Sequence, residues 1–299
     1  MMNKSNTNTH LHKSKSKKND EFYTLYETIE NELIYYKDKF VDKVVYCNCD
    51  DYTKSNFTRY FKDNFNELKL KKLVCTGINS KYYEYNGENE IIKDLTSNGD
   101  FCSDECTSIL EQSDVVVTNP PFSLFRKYIS HLFEHNKKFL IVSNMNAVGY
   151  KEIFPYIQNN KLWWGCSLHA IKCHFIVPND YEGNNTFVEN GIRYGKVNNA
   201  IWLTNIIHQN RNKSIKLNKK YNKNEYPKYD NYDAIEVSKV REIPMDYDGI
   251  MGVPITFLDK YCPEQFEIVG FRKGNDDKDL SINGKCPYTR ILIRVKKQN

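Results

Sequence analysis

The tetrapeptide Asn119-Pro120-Pro121-Phe122, which follows the apolar run DVVVT, is the segment whose residue types point most directly to chemistry. The exocyclic amine of a nucleobase is a poor nucleophile because its lone pair is delocalised into the ring. The side-chain carbonyl of Asn119 and the backbone carbonyl of Pro120, held by a ring that fixes φ, could accept its two N–H groups and draw the nitrogen towards tetrahedral geometry. Phe122 offers a flat face on which a base taken out of the duplex could stack. The pattern indicates methyl transfer to an amine without an ionised base or a metal.

Two further segments are candidates for binding the methyl donor. In Gly99-Asp100-Phe101, the carboxylate could accept from an adenine amino group and the ring could flank the adenine. In the loop CNCDD at residues 47–51, Asp50 and Asp51 could bind ribose hydroxyls or a methionine ammonium. This loop has no glycine and therefore lacks the familiar GxG cofactor pattern. Structural alternatives exist: Asp100 could only cap the following helix, and NPPF could be a rigid turn with an aromatic plug.

The surrounding pattern predicts the elements that would position these residues. Apolar spacing predicts a helix over Glu21–Phe40 and a hairpin that turns at Asn86-Gly87, and Ser103 is a candidate N-cap. Apolar runs such as DKVVYCN, KKLVCTG, DVVVT, KKFLIVSN and AIWLTNI predict strands that alternate with helices. This alternation is typical of an α/β fold with a doubly wound, mainly parallel sheet, which binds ligands at the carboxyl ends of its strands. CNCDD, GDF and NPPF are each expected at such an end.

Charge and composition divide the chain into three predicted regions. Residues 1–19 form a basic, disordered tail, residues 20–207 a catalytic domain, and residues 208–299 a C-terminal extension. Basic residues recur over 211–228, among them four lysines that we take as candidate DNA contacts: Lys213, Lys216, Lys219 and Lys220. Such a segment suits a phosphate backbone, although the plainer alternative is a solvated loop.

Composition also excludes several classes of protein. The nine cysteines are odd in number and show no CxxC spacing, which argues against a zinc site and a disulfide framework. No apolar stretch approaches the roughly 18 residues of a membrane span, and the N-terminus lacks the apolar region of a secretory signal. We therefore expect a soluble, cytoplasmic protein.

The longer motifs identify a family resemblance that covers nearly the whole chain. The sequence resembles the EcoRI-type adenine-specific DNA methyltransferases. The matching segments are DEFYT, DKVVYCNCDD, GDF, SDVVVTNPPFSLF, KKFLIVSNMNAVGYKEIF, PKYDNYDAIEV, MGVPITFL, PEQFE and DLSINGKCPY.

The resemblance implies a Rossmann-like methyltransferase fold and a methyl transfer from S-adenosylmethionine to N6 of an adenine flipped out of duplex DNA. It implies that the NPPF segment holds the base and that Asp100 and Phe101 bind the adenosyl part of the cofactor. Asp50, with Asn48 and Asp51 nearby, would face the methionine or the ribose. Tyr23 and Thr24, with Phe22 before them, match a segment placed against the methionine carboxylate. The resemblance further implies a site like GAATTC and a monomer paired with a restriction endonuclease.

Other functions remain open from the residues alone. NPPF-like motifs also serve methyltransferases that act on cytosine N4, on RNA adenine or on protein glutamine; the basic segments disfavour the last of these. A second alternative is a DNA-binding regulator with an inactive catalytic domain, which the intact NPPF and GDF segments argue against. The identity of the methylated base, and a measurement of S-adenosylmethionine binding, would distinguish these alternatives.

Overall fold

The computed structural model of the chain describes residues 23–181, 185–272, 280–286 and 289–297, with the backbone alone for 168–172. The predicted tail at 1–19 and Phe22 lie outside these ranges. The α-helices in the described residues are α1 Tyr26–Leu33, α2 Asn56–Asp63, α3 Asp104–Glu111, α4 Phe125–Glu134 and α5 Phe154–Gln158. Short 3-10 helices cover Ile34–Lys39, Phe122–Leu124, Met145–Gly149, Val240–Glu242 and Ile255–Lys260.

The strands in the same ranges are β1 Tyr23–Thr24, β2 Val44–Asn48, β3 Lys72–Thr76, β4 Lys81–Tyr85, β5 Glu90–Asp94, β6 Val115–Thr118, β7 Lys138–Asn144, β8 Trp163–Ile176, β9 Thr186–Glu189, β10 Ile192–Thr204, β11 Ala234–Glu236, β12 Ile250–Pro254, β13 Phe266–Arg272 and β14 Arg290–Val295.

The large sheet has the strand order β1-β8-β10-β7-β6-β2-β3-β4-β5, with β9 paired to β10. Four adjacent strands, β7, β6, β2 and β3, are parallel. They carry the apolar runs that a strand covered on both faces requires, and β6 is buried along its whole length. The outer strands pair antiparallel: β10 with β7, β4 with β3, β5 with β4 and β1 with β8. The predicted α/β class is confirmed, with its parallel part confined to the four central strands.

The chain divides into two compact units, and the residues of each unit pack mainly against one another. The first consists of residues up to 145 together with 170–206, and it contains the large sheet except for the residues of β8 before 170. The second consists of 146–169 and 207–299 and contains a four-stranded sheet of order β11-β12-β14-β13. In this sheet the buried carboxylate of Glu236 accepts hydrogen bonds from the guanidinium of Arg290 and the hydroxyl of Tyr229. The predicted domain boundary at residues 207 and 208 stays a prediction.

The first predicted helix differs from the structure. Instead of one helix over Glu21–Phe40, the described part has strand β1, then α1, then the 3-10 helix Ile34–Lys39. The apolar spacing continues through Tyr36 and Phe40, and both are fully buried, so the periodicity alone did not show where the α-helix ends. The hairpin at Asn86-Gly87 is confirmed between β4 and β5, and the side chain of Ser103 caps α3. None of the helices in the ranges described is long and apolar enough to cross a membrane.

Candidate active site

The loop that follows β2 turns sharply without a glycine. Cys49 has a φ of 65°, in the left-handed region that glycine usually occupies. Such a conformation costs a non-glycine residue roughly 1–2 kcal/mol. The loop is fixed by hydrogen bonds: the Asp50 N–H donates to the carbonyl of Thr76 over 3.0 Å, and the Asp51 carboxylate accepts from the backbone and hydroxyl of Thr53. The absence of a GxG pattern is therefore compatible with the tight turn that the pattern usually marks.

The Asp50 side chain is turned into the protein and is only 8% exposed. One carboxyl oxygen lies 2.7 Å from the hydroxyl of Ser55, the N-cap of α2. The other lies 2.6 Å from the hydroxyl of Thr118, the last residue of β6, which is also 2.5 Å from the carbonyl of Asn48. Burial raises the pKa of Asp50 to about 7, because it disfavours the charged form. Asp50 thus joins the loop after β2 to the residue that directly precedes Asn119.

Three loops meet backbone to backbone beside Asp50. A Cβ added to Gly77, just after β3, would lie 2.8 Å from the carbonyl oxygen of Asp50. A Cβ added to Gly99 would lie 1.9 Å from the carbonyl oxygen of Gly77. Gly99 also has a φ of 76°, which favours glycine. The sequence expectation that GDF sits at a strand end is wrong: β5 ends at Asp94, and Gly99-Asp100-Phe101 reaches the site through the following loop.

Asp100 and Phe101 precede α3, with different surroundings. Asp100 is half-buried, and its carboxylate accepts a hydrogen bond from the Cys102 N–H over 2.9 Å. The side-chain cap of α3 is Ser103, so Asp100 is not required for that role. The Phe101 ring is 4% exposed and packs edge-on against Tyr128 of α4 at 5.0 Å. Asp100 therefore remains available to accept from a ligand, and Phe101 forms a fixed apolar wall.

The NPPF segment starts immediately after the buried strand β6. Pro120 is buried, while Asn119, Pro121 and Phe122 are half-buried. Pro121 has an extended conformation, with φ −61° and ψ 122°, and the 3-10 helix Phe122–Leu124 begins after it. Two consecutive prolines limit the backbone freedom of the carbonyl groups at this point. The segment is thus a rigid connection between β6 and the 3-10 helix that follows it.

A pocket of about 500 Å³ in the first unit brings the three motifs together. Seven of the predicted residues line it: Tyr23, Asp50, Asp51, Asp100, Phe101, Asn119 and Pro121. Cys49 and Gly99 also line it, as members of the CNCDD and GDF segments that the sequence singled out, while sequence reasoning missed Lys54, Ile78, Asn79, Asn98 and Leu124. The best available signal for them was position, because each lies within five residues of a motif or directly after the apolar strand β3.

Four predicted residues do not line the pocket: Thr24, Asn48, Pro120 and Phe122. Asn48 and Thr24 are 1% and 2% exposed, and each directly neighbours a lining residue in the chain. The side-chain oxygen of Asn48, Oδ1, accepts a hydrogen bond from the hydroxyl of Tyr128. The Asn48 amide nitrogen and the Thr24 hydroxyl have no hydrogen-bond partner among the described residues. A buried polar group left unpaired costs about 1–3 kcal/mol, so these atoms fit a site completed by a polar ligand.

The four predicted DNA-contact lysines belong to the second unit, and all are exposed. Their segment is held in place by backbone contacts: the N–H of Ile215 donates to the side chain of Gln265 over 2.7 Å, and Tyr221 N–H donates to Asp246 over 2.7 Å. The backbones of Lys219 and Pro244 form an isolated parallel β-bridge. The lysines are therefore presented from an anchored segment.

The site fits the methyltransferase class predicted from the sequence, because the pocket lies at the carboxyl ends of the parallel strands and brings the NPPF segment beside two acidic loops. The sequence profile described as "Adenine-specific methyltransferase EcoRI" matches residues 10–94 and 78–296, two segments that overlap at 78–94. The chain belongs to this family.

Curated relatives agree with this assignment. The chain is 52% identical to the type II methyltransferase M.EcoRI of Escherichia coli, over 97% of this chain and 98% of the relative. It is 40% identical to M.MgeORF184P of Mycoplasma genitalium, over 95% of this chain and 98% of the relative, and 38% identical to M.MpnI of Mycoplasma pneumoniae, over 96% and 98%. Both are also named type II methyltransferases. No solved structure matches the chain.

Proposed function

We propose that this protein is a site-specific DNA methyltransferase that transfers a methyl group from S-adenosylmethionine to N6 of an adenine in duplex DNA. The observation that carries the proposal is the pocket in which NPPF, GDF and the loop after β2 meet. Family membership supports adenine as the target base, and the names of the relatives support a role as the modification component of a type II restriction–modification system. The site is proposed to resemble GAATTC, and the enzyme to act as a cytoplasmic monomer.

The fold is proposed to be of the Rossmann-like methyltransferase type. The central order β7-β6-β2-β3 and the antiparallel strand β10 beside β7 support this. In such sheets the ligand lies at the carboxyl ends of the parallel strands, where β2 leads into Asp50 and β6 into Asn119. When bound, S-adenosylmethionine supplies the electrophilic methyl group. Asp100, Phe101, Asp50 and Asp51 would hold it, with Asn48, Tyr23 and Thr24 completing the site.

The protein's part in the reaction is to orient the amine. The Asn119 side-chain carbonyl and the Pro120 backbone carbonyl would accept the two N–H groups of adenine N6, directing its lone pair away from the ring. Phe122 would stack on the base after it leaves the duplex. Since these acceptors are fixed before the base arrives, they require little reorganisation during the reaction.

The test is incubation of the purified protein with S-adenosylmethionine and unmethylated plasmid, followed by single-molecule sequencing for modified bases. We expect N6-methyladenine confined to one short sequence. N4-methylcytosine would contradict the proposed target base. The absence of any modified base, with cofactor binding intact, would direct the search to RNA or to a regulator without catalysis.

A further inference from the structure

Strands β9 and β10 extend beyond the carboxyl edge of the parallel strands. Strand β10 runs antiparallel to β7, and Ala200 pairs with Asn144 at the end of β7. The eight residues of β10 before Ala200 therefore continue past that edge, with a break in the extended backbone at Asn199, whose φ is 61°. Strand β9 pairs with the start of β10 from Ile192 to Gly195. We call residues 186–195 the β9–β10 hairpin.

The hairpin is rooted close to the pocket. Tyr23, which lines the pocket, pairs with Ile176 at the end of β8. The next residue, Val177, donates its N–H to the carbonyl of Arg193 over 3.0 Å. Two strand spacings thus separate Tyr23 from the hairpin, which corresponds to roughly 10 Å. A duplex that delivered a base to the pocket would be within reach of it.

The tip of the hairpin is tight and apolar. Asn190 and Gly191 both have positive φ, 50° and 78°, which is the requirement of a two-residue type I′ turn. Beside the turn, Val188 is 63% exposed and Ile192 is 42% exposed. The tip therefore presents large apolar side chains on a narrow, rigid ribbon.

Aromatic and basic groups lie behind the tip. The rings of Phe187 and Tyr194 stack across the two strands at 5.1 Å and 19°. The Lys196 ammonium lies 5.0 Å from the centre of the Phe187 ring and is exposed. With Arg193, the segment 186–196 has two cations and one carboxylate, Glu189. This net positive charge favours an anionic partner over a cationic or neutral one.

We propose that the β9–β10 hairpin is a DNA-contacting ribbon, with its apolar tip in a groove beside the base that enters the pocket and Lys196 at a backbone phosphate. The major groove admits a two-stranded ribbon, and apolar side chains contact thymine methyl groups or wedge between base steps. The inference rests on the proposed function and adds a contact in the first unit to the lysines of the second.

The test compares two hairpin variants with matched controls. Val188→Ser/Ile192→Ser removes the apolar tip, and Lys196→Gln removes the cation. Ile34→Ser/Val41→Ser and Lys43→Gln make the same changes at exposed positions on the segment before β2, at the amino end of the parallel strands. The probe is a fluorescent duplex that carries the sequence methylated by the wild type, and binding is measured over a range of salt concentrations.

We expect the tip variant to weaken duplex binding about ten-fold, the effect of removing one interaction of base-stacking strength. Lys196→Gln should lower the slope of log K against log salt by about 0.9. Both variants should keep the wild-type S-adenosylmethionine affinity and thermal unfolding temperature, and the controls should change neither duplex binding nor the salt slope.

Three results would overturn the proposal. Hairpin variants indistinguishable from the controls would show that the ribbon does not contact DNA. Parallel losses of cofactor binding and thermal stability would show a structural role. A wild-type dimer that the tip variant converts to monomers, with duplex binding unchanged, would assign the tip to a second copy of the chain. A wild type that neither binds nor modifies DNA would instead overturn the proposed function itself, and the inference with it.

Discussion

The hydroxyl of Thr118 connects the proposed cofactor loop to the proposed catalytic segment. Its oxygen lies 2.5 Å from the Asn48 carbonyl and 2.6 Å from an Asp50 carboxyl oxygen. A hydroxyl has one proton to donate, so it cannot donate to both acceptors. A proton on Asp50 resolves this: the carboxyl donates to Thr118, and Thr118 donates to Asn48. The raised pKa of Asp50, about 7, is consistent with that proton.

This arrangement predicts a pH-dependent stability. Because the pKa of Asp50 is higher in the folded protein than its unfolded value near 4, the folded state binds a proton that the unfolded chain releases. The contribution is present below about pH 4 and is lost as pH rises towards about 7. Asp50→Asn imitates the neutral acid. Its stability relative to the wild type should increase by about 3 kcal/mol from about pH 5 to about pH 8, measured by urea unfolding.

Asp51→Asn is the control for this experiment, because Asp51 is a partly exposed neighbour bonded to Thr53. This variant should keep most of the wild-type pH dependence, because burial, and not the neighbouring Asp51 carboxylate, is the largest cause of the raised pKa of Asp50. If the stabilities of Asp50→Asn and the wild type change equally with pH, Asp50 is ionised in the folded protein. The proposed hydrogen bond from a protonated Asp50 to Thr118 is then wrong.

For a substitution at Asn119 we predict that turnover is lost while the affinity for the cofactor is retained. Asn119→Ala removes one of the two acceptors proposed for the amine. The rate should fall about 10²- to 10³-fold, the usual effect of deleting one fixed hydrogen-bonding group at a reacting centre. Single-turnover methylation and calorimetric titration with S-adenosylmethionine measure the two quantities. Normal turnover would remove Asn119 from the proposed chemistry, and lost cofactor binding would reassign it to the cofactor site.

Among the elements, the packed loops at Gly77 and Gly99 make the pocket sensitive to small changes. Gly99→Ala combines a positive φ with a Cβ 1.9 Å from a backbone oxygen. Gly191→Ala has a similar φ, 78°, with nothing within 4 Å of the added Cβ. The second variant should lose about 1 kcal/mol from the left-handed backbone alone. The first should lose clearly more and should also bind S-adenosylmethionine more weakly.

Thermal unfolding and cofactor titration of these two glycine variants distinguish the steric clash of the added Cβ at Gly99 from the backbone strain that both positions share. Equal losses of stability would mean that the loop backbones move apart at little cost. In that case the close contact of the three loops would not determine the shape of the pocket.

The elements also show how far the sequence alone could lead. Residue types and the alternation of strands with helices predicted that Asp50 and Asn119 lie at the same edge of the sheet, because both follow strands that were expected to be parallel. The pairing of Tyr23 with Ile176 joins residues about 150 positions apart, and no local periodicity reports such a contact. Gly99 reaches the pocket by packing on Gly77, and this depends on backbone approach rather than on any distinctive side chain.

For the whole molecule, charge placement matters more than the net charge of +5. Replacing Lys213, Lys216, Lys219 and Lys220 by glutamine should weaken duplex binding and lower the salt slope by up to about 0.9 for each phosphate that is no longer neutralised. S-adenosylmethionine affinity should not change, because the pocket residues belong to the first unit. Fluorescence anisotropy over a salt series measures the effect.

The matched control replaces four exposed lysines of the first unit, Lys39, Lys43, Lys69 and Lys71, and changes the net charge equally. If both quadruple variants lose the same affinity, the effect is one of total charge, and the segment around 213–220 is a solvated loop.

The hairpin of β4 and β5 has an evolutionary consequence. Its base is closed by the hydrogen bond from Leu95 N–H to the Ser80 carbonyl, 2.8 Å long. Its turn at Asn86-Gly87 lies near the amino end of β3, since Tyr85 pairs with Leu73, while the pocket lies at the carboxyl end. Insertions and deletions at that turn would leave the base of the hairpin unmoved. The two segments of the family match overlap at residues 78–94, and at the turn within this overlap, away from the pocket residues Ile78 and Asn79, a lineage could gain or lose residues without rebuilding the pocket.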